Sequence, residues 1–197
     1  MGSVSSHERG EKLDFHQVEN DVLTFWFGSG PEEKRDAWFQ RDPDFDAEIV
    51  VRFTATYEAA TAGRLDDMAR TPLGCLALVI VLDQFPRNMF REDPRAFATD
   101  AKALALARNA IEAGFDAELT EYRRQFLYMP YQHSEDIADQ KRSVELFAQI
   151  DKETLGYAVR HLEVVERFGR FPHRNAILGR DSTVEEIAFL KEPNSSF

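Results

Sequence analysis

Apolar residues recur along this chain at helical spacing, and no stretch shows a strand-like alternation closed by a hairpin turn. That pattern constrains the fold more than any other feature. Val18, Val22, Phe25 and Trp26 form one face of a first helix that stops at Gly28, the usual kind of residue just past a helix end. Phe45, Ile49, Phe53 and Tyr57 then recur every four residues up to Gly63. Pro72 to Gln84 is apolar on nearly every side and by composition alone could be a buried strand; its helical neighbours favour a central buried helix. Asp93-Pro94 supplies an N-cap and a first-turn proline for an alanine-rich helix ending at Gly114. Further helices are expected over Leu119–Leu127, Ser134–Ile150 and Lys152–Phe168. Ser182-x-x-Glu185 reads as a capping box opening a last helix through Leu190.

Roughly seven to nine helices with short connections predict an all-α fold of stacked antiparallel helical hairpins. Candidate second-hairpin starts near Asp46, Pro94 and Ser134 are spaced unevenly, so a degenerate helical array fits better than a strict repeat. Residues 1–13 read as a polar, loose leader and residues 14–197 as a single all-helical domain. With 197 residues, 43% apolar and 16 of them Phe, the chain has enough material for a substantial core.

The net charge of −11 and pI near 4.9 oppose generic nucleic-acid or anionic-membrane binding, since both need a positive face. The bases are unevenly spread, however. Arg160, Arg167, Arg170, Arg174 and Arg180 cluster with His161 and His173, against only Glu163 and Glu166, which leaves room for a local cationic pocket. A single cysteine, Cys75, excludes an intrachain disulfide and any CxxC site. The start lacks the apolar core of a signal peptide, and no apolar run approaches the ~20 residues of a membrane span, so a cytoplasmic location is expected.

Two segments echo one another. Phe85-Pro86-Arg87-Asn88 returns as Phe171-Pro172-His173-Arg174-Asn175, and each is followed by an arginine, Arg91 and Arg180, ahead of the next helix start. Proline restricts both its own φ and the residue before it, so such loops can present charge in fixed geometry. A third polar segment, Tyr128 to Asp136, reads as a helix-to-helix turn. In it Ser134 serves as N-cap, or His133 and Glu135 act as acid, base or ligands. His133-Ser134-Glu135 spells the H-x-E of zinc deaminases, but the accompanying P-C-x-x-C is missing and no metal or other cofactor is expected. His161 shares a helical stripe with Tyr157, Val165 and Phe168, as a core histidine or a pocket wall. Phe25-Trp26-Phe27 and Trp38-Phe39 are read as core or hairpin packing, with a ligand-stacking surface as the rival. The candidate ligand-binding residues are Arg87, Asn88, His133, Glu135, His161, Arg170, His173 and Arg174.

These motifs, together with Val22-Leu23-Thr24-Phe25-Trp26-Phe27-Gly28 and Gly179-Arg180-Asp181-Ser182-Thr183-Val184-Glu185-Glu186, resemble the bacterial family known as domain of unknown function 924. The resemblance runs from about Phe15 to Leu190. It implies an all-α, tetratricopeptide-like right-handed array and no established activity, and it transfers no catalytic residue.

Two functions follow from different classes. Stacked hairpins form a concave groove, which makes a peptide- or protein-binding scaffold the leading expectation, by analogy of fold. The alternative is a small-molecule site, binding protein or enzyme, in which guanidinium groups hold a carboxylate or phosphate and a histidine supplies acid–base chemistry. They differ in geometry: the second requires Arg87, His133, His161, Arg170, His173 and Arg174 to surround one cavity.

Overall fold

The computed structural model describes residues 14–193 and 195. The expected leader, residues 1–13, therefore lies outside the described residues apart from its boundary. Among the described residues the secondary structure is helical throughout, with no strand. The helices are α1 (Phe15–Phe27), α2 (Pro43–Thr61), α3 (Pro72–Val79), α4 (Phe85–Met89), α5 (Asp100–Glu112), α6 (Glu121–His133), α7 (Ile137–Phe147), α8 (Lys152–Phe168) and α9 (Val184–Phe189), joined by short 3-10 turns.

The helix ends follow local chemistry. Asp14, Asp42, Asp136 and Asp151 each accept two backbone N–H groups at the starts of α1, α2, α7 and α8. Gly169 ends α8 in the left-handed region at φ 68°. Gly74 answers a different need: a Cβ there would lie 2.2 Å from the Met68 carbonyl oxygen, so α3 can cross the preceding turn only with glycine.

Large aromatics from distant segments meet in one core. Trp26 packs against Trp38, Phe45, Phe85 and Phe126, and Phe25 stacks on Phe45 at 5.0 Å. The fully buried apolar run of α3 threads this cluster. Consecutive helices α5 to α8 pack side by side, and a second small cluster of Val164, Val165 and Phe171 closes the C-terminal end.

Five local expectations need correction. The run from Pro72 does not stay α-helical: α3 widens into a π-helical turn, Ile80–Gln84, before α4. Pro86 then brings no N–H, and the Leu82 carbonyl accepts instead from the Thr99 hydroxyl at 2.5 Å. Pro94 opens a separate 3-10 turn, Pro94–Phe97, and the alanine-rich helix starts later, at Asp100. Tyr128 to Gln132 is helix, not turn, because α6 continues through Pro130 to His133. The cap of α7 is Asp136, whereas Ser134 Oγ donates to Asp139. Finally, the last capping box is one residue later than read, formed by Thr183 and Glu186.

Candidate functional site

The two echo segments meet in space. Arg87, from the first, forms a fork with Asp100: Nη1 lies 2.9 Å from Oδ1 and Nη2 lies 3.0 Å from Oδ2. Arg174, from the second, approaches the same carboxylate more loosely, Nη1 to Oδ2 at 3.6 Å. Both guanidinium groups face the ring of Phe97, which lies between them in sequence, and Arg174 also stacks on Phe171 at 4.7 Å. Asp100 is the junction because the 3-10 turn before α5 delivers it, in the first turn of that helix, to the end of the α3–α4 rod.

Beside this junction a carboxylate and an imidazole are buried together. The π-helical turn rotates Asp83 into the interior, where it is fully buried. His133, the last residue of α6, places Nδ1 2.8 Å from Asp83 Oδ1, and Arg87 Nη1 lies 3.5 Å from the same oxygen. Burial alone would raise the Asp83 carboxyl; the neighbouring His133 and Arg87 overcome it and hold Asp83 below the usual carboxylate range. Burial, with Arg87 close by, pushes His133 down against the pull of Asp83. At neutral pH the pair is therefore an ionised Asp83 and a neutral His133. An ionised carboxylate only accepts, so Nδ1 carries the proton and Nε2 keeps its lone pair. No other hydrogen bond is made by His133 among the described residues. The end of α6 is held by Gln140, whose buried amide donates to the carbonyls of Gln132 at 2.7 Å and Ser134 at 2.6 Å.

His161 is treated in a similar way. Its Nδ1–H donates to the Tyr157 carbonyl at 2.8 Å, which fixes the tautomer and leaves Nε2 to accept from the Gln132 amide at 3.4 Å. Burial pushes it down to about 3, and burial together with Arg174 pushes His173 down to about 4. Arg174 itself, 7% exposed, falls to about 10 through burial and the nearby Arg87. Its Nε has no hydrogen-bond partner among the described residues.

Arg87, His133, His161, His173 and Arg174 line one cavity of about 610 Å³, while Asp83 holds His133 from behind that wall and Asp100 borders the neighbouring cavity. Its polar wall includes Gln84, Arg87, Asn88, Gln125, Gln132, His133, His161, His173 and Arg174, with Arg41, Arg91, Glu92 and Arg160 also on it; Trp38, Met129, Phe147 and Tyr157 supply apolar surface. Of the eight sequence-named candidates, Arg87, Asn88, His133, His161, His173 and Arg174 border this space. Glu135 and Arg170 do not. Glu135 borders an adjoining cavity of about 430 Å³, where it is paired with both Nη atoms of Arg180 and accepts the Phe171 N–H at 2.7 Å. Arg170 turns away to Glu186, at 2.7 and 2.8 Å. The arginine trailing the first echo, Arg91, is likewise engaged, by Asp46 at 2.5 and 2.8 Å.

Sequence reading missed Asp83, Gln84, Asp100, Gln125 and Gln132. For Asp83 and Gln84 a signal was present, since a carboxylate at the end of an otherwise apolar run must be buried with a partner. Asp100 carried no signal of its own, because an acid in a first helical turn is ordinarily read as complementing the helix dipole. Trp38, read mainly as packing, both packs on Phe126 and borders the cavity.

Among the described residues no cluster of three or more His, Cys, Asp or Glu side chains is arranged to hold a metal ion. No helix is long and apolar enough to cross a membrane. No curated protein matches the chain. A solved structure of a protein of unknown function from Agrobacterium tumefaciens is similar over 90% of this chain and 99% of its own, with 41% sequence identity and a TM-score of 0.85. A family model described as a bacterial protein of unknown function matches residues 22–194, nearly the whole chain; with this fold and this sequence, the protein belongs to the DUF924 family.

Proposed function

We propose that the cavity binds a small anionic molecule, a carboxylate or a phosphate, and that His133, oriented by Asp83, transfers a proton to or from it. Arg174 carries this reading. It is a guanidinium more than nine-tenths buried, bordering the cavity, with a loose ion-pair contact and an unpartnered Nε. A buried charge so weakly compensated is costly unless something else meets it. An anion would meet it, and guanidinium forks suit planar carboxylate and tetrahedral phosphate alike. A neutral imidazole with its Nδ1 tied to a carboxylate is the arrangement of a general base, its free Nε2 available to a bound molecule.

The peptide scaffold draws less support. The large exposed apolar side chains are spread over α2 (Val50, Val51), α7 (Ile137), α8 (Tyr157) and α9 (Val184, Ile187), while the polar residues that fold analogy leaves unexplained gather around an internal space. The setting for such a site is a tetratricopeptide-like array, as the family resemblance implies, in the cytoplasm, as the sequence's lack of an apolar leader or span leads one to expect.

Thermal unfolding with a panel of carboxylates and phosphates tests the proposal. An anion present at about 100 times its dissociation constant adds about 2.7 kcal/mol, which at roughly 2–4 °C per kcal/mol raises Tm by about 5–10 °C. At least one anion is expected to do so in the wild type and to lose the effect in Arg174→Met. No stabilisation by any anion, or an unchanged shift in that variant, would refute the site.

A further inference from the structure

Along α6, Gln125, Met129 and Gln132 follow one another at intervals of four and three residues and all border the cavity. Gln132 and His133 mark its charged end. Gln125 lies two turns earlier, about 10 Å away at ~1.5 Å per residue. On α8, Thr154 stands two turns before His161, and both border the same cavity. Gln132 and His161 are in contact, so the two helices extend the cavity from that contact toward Gln125 and Thr154. Between the two ends lie Met129 and Phe147, which are apolar.

Gln125 is the anomaly of this far end. It is 7% exposed, yet its side chain makes no hydrogen bond among the described residues. The two other buried glutamines on the cavity wall are engaged: Gln84 with Asp83 and Met129, Gln132 with His161. The Gln125 amide is not sealed in the interior: without a protein partner, its polar atoms stand open to the cavity it borders, where a bound molecule can meet them.

Resting on the anion site above, we propose that the cavity takes an elongated molecule: an anionic group at Arg174 and His133, an apolar middle against Met129 and Phe147, and a neutral hydrogen-bonding group, such as a carboxamide, read by Gln125. Gln125 is then the residue that sets specificity at the end remote from the charge. A carboxamide suits it because two amides can exchange N–H and carbonyl groups reciprocally.

Matched pairs of acids test this. Each pair has the same straight chain, of increasing length from pair to pair, and ends either in a carboxamide or in an isopropyl group of the same shape; one series carries a carboxylate head and a parallel series a phosphonate. Dissociation constants are measured by calorimetry for the wild type and for Gln125→Leu and Gln125→Met. At one chain length the wild type is expected to favour the carboxamide by about tenfold or more, at 1.4 kcal/mol per tenfold. Both variants are expected to lose that preference while keeping wild-type affinity for the isopropyl partner and an undiminished Tm. Equal affinity for both members of every pair in the wild type, or a preference that survives in the variants, would overturn the role of Gln125 and leave the anion site standing. No binding by any acid of either series would overturn the anion site and this proposal with it.

Discussion

The two Phe-Pro segments are alike in sequence and unlike in backbone, and the contrast separates an arginine held by the fold from one left partly unpaired. The first is embedded in a continuous rod: the π-helical turn leads straight into α4, and Pro86 sits inside the helix with the Leu82 carbonyl repaired by Thr99. Its Arg87 is saturated, with a fork on Asp100 and a bond to the Asp83 carbonyl at 2.7 Å. The second follows a helix that has already ended at Gly169, and its proline opens an isolated 3-10 turn, Pro172–Arg174. Its Arg174 reaches the same Asp100 but is not saturated. One additional residue, His173, separates proline from arginine in the second copy. A shared motif thus yields one arginine committed to the fold and one still available.

Acid should separate the two segments most strongly. His161 and His173 have folded-state values of about 3 and about 4, below the ordinary 6.5 that they regain on unfolding. As pH falls below about 6.5 the unfolded chain takes up protons first, so their stabilisation is complete above that pH and is lost progressively toward pH 4 and 3. At 1.36 kcal/mol per unit, each is expected to cost about 2–3 kcal/mol between pH 7 and 4.5, measured as urea midpoints. His161→Gln and His173→Gln should flatten the decline; an unchanged slope would mean that neither imidazole is buried neutral. Next in size is Asp100→Ala, which strands two guanidinium groups at once and is expected to cost about 3–5 kcal/mol. A loss under 1 kcal/mol would show that Asp100 does not join the segments.

Thr99→Val probes the first segment alone. Removing the hydroxyl leaves the buried Leu82 carbonyl unpaired, for an expected loss of about 1–2 kcal/mol by chemical denaturation. The smallest stability effect belongs to Arg174→Met. Replacing a poorly compensated buried cation by a flexible apolar side chain should leave stability within about 1 kcal/mol of wild type, or raise it. The corresponding Arg87→Met should destabilise by several times as much, since Asp100 loses its two-pronged partner and the buried Asp83 loses the cation beside it. Equal effects at the two arginines would erase the distinction.

The sequence made some of this legible and hid the rest for physical reasons. Recurrence every four residues and the glycine stops locate α1 and α2 closely, because each of these helices has one apolar face. α3 is apolar on all sides, and a segment without phase cannot reveal that its winding changes, so the π-helical turn was invisible. Tyr128 to Asp136 read as a turn, yet α6 runs through Pro130 to His133, and its end is held by Gln140, a contact from the next helix. The echo pointed to Arg87 and Arg174, but only tertiary structure shows that they share Asp100. Gln125 gave no sign at all: a glutamine on a helix is solvent-exposed by default, and its burial is decided by tertiary packing alone.

Histidine NMR reads the cavity most directly. The chain has five histidines, of which His133, His161 and His173 border the cavity while His16 lies on α1 away from it. With imidazole resonances assigned, the wild type is titrated with each anion that raised its Tm. The resonances of His133, His161 and His173 should move together, with one midpoint equal to that of the thermal shift, while His16 stays still and Arg174→Met abolishes the response. Movement confined to His16, or a thermal shift with the three cavity histidines unmoved, would place anion binding elsewhere and contradict the cavity as the functional site.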